Sequence, residues 1–390
     1  MKKFLLVSLI PIVLSAYDFE YKGNIGVEAQ YFNHNMQNKR DNALALRLEA
    51  ELKTKFEDSE VALKVIGLLD KDDENRRFIE FNDLYYKYNF QDSDILIGRN
   101  TRFWGALEFY NITDVFNAKN IADDPYDYDS KLGAWNVAYT KYFGNSELSL
   151  IVKLYEEKQK MQDAKSVNNF FPVPYNDTLK TQKSKSRPSI YLKYGGTGDE
   201  IQIDYGIVYE NGYDSQRYIT FNQGSLQQNA YIVNKLLGYA TLVLGDTIYK
   251  TEAAYALSDD KTVSDYGELG VGLEHTLYGF WGDRDLGLLA EYYRYEARDD
   301  TKLGAKDFSY FFQNDLSFGF RLSMNDIYSS ELLAGMDIDF DNQEKIYTLK
   351  YDTRVYDKYK LQLSYLHLSP SDDSAFEKLD RFKFEFGYYF

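Results

Sequence analysis

The chain has 390 residues, no cysteine, 27% charged residues and 17% aromatic residues, with 45 Lys and Arg against 61 Asp and Glu for a net charge of -16. The missing thiols exclude disulfide frameworks, thiolate metal sites and cysteine nucleophiles. The acidic surplus repels a phosphate backbone, so nucleic acid is not an expected partner, and a mean hydropathy of -0.51 excludes a bundle of apolar membrane helices.

Residues 1–16 have the pattern of an export signal. Lys2 and Lys3 form the basic region, Phe4 to Leu14 the apolar stretch, and Ser15-Ala16 precede the expected cut, so the mature chain is expected to start at Tyr17. Residues 17–390 are read as one domain.

From Ala43 onward the chain alternates with the period of a strand. Leu44, Leu46, Leu48, Ala50 and Leu52 fall on one face, and Arg47, Glu49, Glu51 and Lys53 on the other. The pattern returns at Leu148 to Leu154, Ile201 to Tyr209 and Leu316 to Leu322. Eighteen such segments are expected, near 24–33, 43–56, 60–69, 78–90, 94–100, 132–142, 147–156, 188–195, 200–211, 232–244, 246–257, 265–277, 284–297, 310–322, 328–340, 345–354, 358–368 and 379–390. They leave about 21 residues for each strand with its connection, which suits membrane strands of roughly 9–11 residues.

The connections alternate as well. Those at 57–59, 91–93, 143–146, 196–199 and 355–357 are tight, and those at 34–42, 70–77, 101–131, 157–187, 212–231, 298–309 and 369–378 are long. A soluble sandwich has no reason to gather its long loops at one end. A membrane barrel, which must also close so that no strand edge meets lipid, does. The expected fold is therefore all-β: a transmembrane antiparallel up-and-down barrel of 16–18 strands, with long extracellular loops and short periplasmic turns. The final strand carries Phe382, Phe384, Phe386, Tyr388 and Phe390 against Arg381, Lys383 and Glu385. This resembles the signal by which the barrel assembly machinery of Gram-negative bacteria captures a last strand by strand addition.

The stretch from Ile79 to Gly133 is the most distinctive. A strand ending in Gly98-Arg99 is followed by Phe103-Trp104-Gly105, Glu108, Asp114 and Asn117, then by an acidic run into Lys131-Leu132-Gly133. Together with Asp285 to Glu291, Asn314-Asp315-Leu316 and Glu331 to Gly335, this stretch resembles a proteobacterial family of porin-like outer-membrane proteins of unknown role. The resemblance implies an outer-membrane barrel and supplies no substrate.

Loops of this length inside a compact domain are commonly functional. By analogy with porins, 101–131 is read as a candidate constriction carrying Arg99, Arg102, Trp104, Glu108, Asp114 and Asn117; the bland alternative is a surface loop with Trp104 on the rim. If the loop folds inward, loss of Arg102 is expected to shift selectivity toward cations. Asp123, Asp124, Asp127 and Asp129 read as a solvated cluster, or one bridged by divalent ions to lipid phosphates, rather than a dedicated metal site. The loop 158–187 has a local charge of +5, suited to anionic solutes or lipopolysaccharide phosphates or simply solvated.

Enzymatic signals are thin. His34, His275 and His367 are far apart, and Gly195-Gly196-Thr197-Gly198 is a hairpin turn without the lysine of a phosphate-binding loop. No catalytic residue, cofactor or metal is expected. The favoured function is an outer-membrane channel for small polar or charged solutes, ahead of a non-conducting structural or binding barrel and, last, a barrel enzyme. Outer-membrane lipid, lipopolysaccharide, the assembly machinery and small polar solutes are the expected partners.

Overall fold

The computed structural model describes residues 19–390, apart from 128–129, 170, 172, 305–311 and 372–376. The leader read at 1–16, the first two residues of the segment expected at 310–322, and Asp129 lie outside the described residues. Among the described residues, eighteen strands form one sheet that closes on itself. In chain order these are β1 (Phe19–His34), β2 (Asn42–Phe56), β3 (Ser59–Asp70), β4 (Arg77–Asn89), β5 (Ser93–Asn100), β6 (Ala134–Phe143) and β7 (Ser146–Lys153). After a short loop strand, β8 (Tyr175–Thr181), come β9 (Ser189–Thr197) and β10 (Ile203–Tyr213). Two more loop strands, β11 (Tyr218–Asn222) and β12 (Ser225–Ala230), precede β13 (Ile232–Leu244), β14 (Thr247–Ser258), β15 (Tyr266–Trp281) and β16 (Arg284–Ala297). The barrel ends with β17 (Asn314–Ser323), β18 (Glu331–Asp339), β19 (Lys345–Val355), β20 (Tyr359–Ser369) and β21 (Leu379–Tyr389).

Neighbouring barrel strands pair antiparallel, and β1 pairs with both β2 and β21, which closes the ring. All eighteen expected segments are present. The closure follows from solvent: an open edge in hydrocarbon would strand a row of backbone groups. The outward faces carry the apolar set, with Leu44, Leu46 and Leu48, or Phe382, Phe384 and Phe386, exposed as a belt, while Arg47, Glu49, Lys383 and Glu385 on the same two strands line the interior cavity. The ends of the described chain lie at the rim of short turns, where Gly23 and Phe390 exchange two backbone hydrogen bonds of 2.9 and 3.1 Å.

Several boundaries differ from expectation for local reasons. β7 stops at Lys153 because Lys153 pairs at 2.8 Å with Glu156, which has already left the wall. The turn before β18 is longer than read, since Asp326 accepts the N–H groups of Tyr328 and Ser330 at 3.1 and 2.9 Å and holds 326–330 out of the ladder. β8, β11 and β12 form a separate three-stranded sheet, with β8 and β12 parallel, inside the long loops. Their short, mostly polar sequences show too little alternation to announce a strand.

Candidate functional site

The loop from Thr101 to Gly133 leaves β5 and turns into the barrel in two lobes. The first, Gly105 to Thr113, reaches the inner wall of β14 to β16. There the Glu252 carboxylate of β14 accepts the backbone N–H groups of Ala106, Leu107 and Thr113 at 2.6, 2.9 and 2.8 Å. It also accepts the Thr113 hydroxyl and the Asn111 amide, each at 3.0 Å. Two strands further, Glu291 of β16 accepts the N–H groups of Glu108 and Phe109 at 2.8 and 3.0 Å, and the Tyr293 hydroxyl accepts that of Tyr110 at 3.0 Å.

Apolar contacts complete the seat. Leu107 lies over Gly270 and Gly272 of β15, where an added Cβ would stand 2.4 and 2.9 Å from its methyl groups. Side chains at those two positions would push the lobe off the wall. Trp104 packs between Phe116 and Tyr191 at a tilt of 58° to each ring, with centroids 5.8 and 5.7 Å away. Phe109 extends further, to within 3.0 Å of where a Cβ on Gly335 of β18 would sit.

The second lobe, Lys119 to Asp127, crosses toward β1, β2 and β21. Asp123 pairs with Arg47, and Asp124 pairs with Arg381 at 2.7 Å and with Lys383 at 3.3 Å. Burial raises the pKa of the Asp124 carboxyl, but Arg381 and Lys383 outweigh it and hold the group well below the usual carboxylate range. This corrects the reading of the acidic run as a solvated or lipid-bridged cluster: Asp123 and Asp124 are buried ion-pair partners of the wall, and Asp127 is exposed.

Between the two lobes and the wall from β16 to β21, β1 and β2 lies a cavity of about 680 Å³. Glu108 and Phe109 of the first lobe and Asp124, Tyr126 and Asp127 of the second border it, facing Arg321, Lys350, Lys360 and Glu49 on the strands. The charges are mixed and locally balanced. Glu108 sits 2.6 Å from Lys250 and 3.9 Å from Arg321, and Lys350 and Lys360 share Asp352 at 3.2 and 3.4 Å.

Of the six residues picked as a constriction, Glu108 borders this cavity. Of the other five, Arg102, Trp104, Asp114 and Asn117 hold the loop in place, and Arg99 ties the end of β5 to β4 and to the loop after β7. Arg99 donates to the Phe81 carbonyl at 2.7 Å and pairs with Glu157. Arg102 donates to Asn136 at 3.1 Å and stacks over Phe116, and burial pushes its pKa down to about 10. Asp114 is clasped by Lys131 at 2.6 Å and Lys119 at 3.2 Å. Asn117 ties the two ends of the loop together, accepting the Arg102 N–H at 2.8 Å and donating to the carbonyls of Asn100 and Leu132 at 3.2 and 2.8 Å. Trp104 is inside the barrel rather than on its rim. Sequence reasoning put Glu252 on an inward face without its role as an anchor, and missed Glu291, Gly270 and Gly272; the glycines at alternate positions of β15 were the available signal.

The next two long loops also turn inward. Glu156 pairs with Arg217 in full burial, and Asp214 meets Lys235 at 2.7 Å and the Tyr266 hydroxyl at 2.6 Å. In the basic loop, Lys160 pairs with Glu80 and covers Phe78, while Lys165, Lys180 and Lys183 are exposed. The histidines stand apart: His34 is 3.4 Å from Asp41, His275 2.8 Å from Thr247 and His367 2.6 Å from Asp380.

Among solved structures, the chain is similar to OccAB4 of Acinetobacter baumannii, with a TM-score of 0.59 and 9% identity over 95% of this chain and 98% of that one. The chain is a closed eighteen-stranded antiparallel β-barrel of the same fold. OccK11 of Pseudomonas aeruginosa is similar to it at a TM-score of 0.57 and 9% identity, over 95% of this chain and 96% of that one. Wzi of Escherichia coli, described as a carbohydrate-binding β-barrel involved in group 1 capsule assembly, is similar at a TM-score of 0.56 and 11% identity, over 98% and 87%. At these identities the likeness carries the fold and no substrate. No family model and no curated protein matches the sequence.

Proposed function

We propose that this outer-membrane barrel is a porin-like channel for small polar or charged solutes, in which the loop 101–131 narrows the lumen, and that it is not an enzyme. The observation that supports the reading is the pair of lobes, anchored on separate sectors of the wall by Glu252, Glu291, Arg47 and Arg381, with a charge-lined cavity left between them. Eighteen strands enclose more space than their own side chains fill, and inward-folded loops set how much of it stays open. A lumen with both signs of charge suits polar and charged solutes over apolar ones. Purified protein in planar bilayers is expected to give discrete conductance steps. Folded, inserted protein that gives none at any voltage sinks the channel reading in favour of the rival one, a non-conducting structural or binding barrel, for which the likeness to Wzi speaks.

Two partners belong to the same proposal. The exposed Lys165, Lys180 and Lys183 give this loop a basic surface suited to lipopolysaccharide phosphates. The last strand, with Phe382, Phe384, Phe386, Tyr388 and Phe390, serves as the assembly signal. Phe390 closes the ring against Gly23, and its deletion is expected to leave the protein aggregated or degraded in the periplasm. Outer-membrane yield equal to the parent's, measured in fractionated cells, would overturn that role.

A further inference from the structure

Toward the end that carries the long loops, the cavity between the lobes borders an apolar layer. At that end of the barrel the inward-facing Phe32, Leu366, Leu368 and Leu379 gather with Val167 into one apolar cluster, all buried. Leu366 belongs both to this cluster and to the cavity wall, so the cluster lies directly between the cavity and the loop rim. Tyr126 and Ile346, which also border the cavity, pack against it, as does Met36. Val167, from the loop after β7, is thus the foreign piece in an otherwise strand-borne layer.

The segment that carries Val167 is held by polar ties to two other loops. The Lys39 ammonium donates to the Ala164 carbonyl at 2.8 Å, and also to that of Asn169. Arg40 pairs with Asp163, sits 3.3 Å from Asp73 and donates its backbone N–H to the Lys165 carbonyl at 2.9 Å. Asn75 reaches the Met161 carbonyl at 3.0 Å. The segment also meets the lumen-filling loop through Gln162, which donates to the Ile121 carbonyl at 2.9 Å. Few buried apolar side chains and many hydrogen bonds that water can replace are the composition of a locally opening unit.

We propose that residues 161–169 form a lid over the cavity, with Val167 as its plug and Lys39 as the positioning residue that clamps it, so that passage requires the lid to lift. This inference rests on the channel reading for its consequence, and two measurements keep them apart. The chain has no native cysteine, so a Val167→Cys variant carries a single thiol whose reaction with a soluble maleimide reports lid opening without any need for conduction. Adding Lys39→Ala to that variant is expected to speed labelling by about tenfold. A Leu179→Cys variant, buried in a different loop cluster, should label at the same rate with or without Lys39→Ala. In planar bilayers, Lys39→Ala alone is expected to raise the fraction of time open while leaving the unit conductance unchanged, since the lobes are untouched. Equal labelling in both backgrounds, or faster labelling at Leu179→Cys as well, overturns the lid. Faster labelling at Val167→Cys alone, with no conductance from parent or variant, keeps the lid and removes the channel.

Discussion

Replacing Glu252 with alanine is expected to raise the single-channel conductance about twofold, because it frees the first lobe from the wall and returns its volume to the lumen. The carboxylate is the acceptor for three backbone N–H groups, one hydroxyl and one amide. Alanine leaves those donors facing a dry seat beside Leu107, Ile112 and Phe116, at a cost of about 1–3 kcal/mol for each one that finds no water. The apolar contacts and the Glu291 anchor oppose release, so the freed lobe is expected to fluctuate and the current to grow noisier as well as larger. Glu252→Gln keeps the shape and one carbonyl oxygen but turns an NH2 toward other donors, and should fall between parent and alanine. Gly270→Leu tests the same seat from the opposite side, through the space that Leu107 fills. If all three variants conduct like the parent and 105–113 stays equally resistant to protease, the lobe does not limit the current.

The strands were legible because a half-buried wall writes its two faces into alternate residues, and Arg47 and Glu49 were set on the face opposite the leucines on that ground alone. The inward fold of 101–131 was legible only as a possibility of length and polarity. Its anchors were not, since the meaning of Glu252 depends on backbone amides 139 to 146 positions away, and an inward glutamate on β14 reads the same whether it meets water or a loop. Asp124 was misread for the same reason, its cations lying 257 and 259 residues further along the chain. A run of carboxylates looks solvated until the fold brings guanidinium groups to it. Arg102 shows the converse: a charged residue in a polar loop reads as a pore residue, yet it supports Phe116 and Asn136 from behind the lobe.

That placement decides the selectivity experiment. Glu108 and Arg321 border the cavity with comparable side-chain exposure, 41% and 42%, and stand 3.9 Å apart. Arg321 also lies 3.8 Å from Glu274 and 3.6 Å from Glu331, so it and Lys250 together offset three carboxylates, with Glu331 facing Arg321. In a narrow passage with low-dielectric walls, an unbalanced charge acts on a passing ion far more strongly than it does in bulk water. Arg321→Ala is therefore expected to shift the cation-to-anion permeability ratio toward cations by about three- to tenfold, roughly 0.7–1.4 kcal/mol. Glu108→Gln should shift it toward anions by less, since Lys250 keeps Glu274 as a partner at 2.9 Å. Arg102→Ala should leave the ratio near the parent's, because its charge faces the packed side of the lobe. Reversal potentials across a potassium chloride gradient measure all three, and the shift should shrink as salt is raised. If Arg102→Ala moves the ratio as far as Arg321→Ala does, or if Arg321→Ala and Glu108→Gln move it the same way, the permeant path does not run between the lobes and the wall of β17.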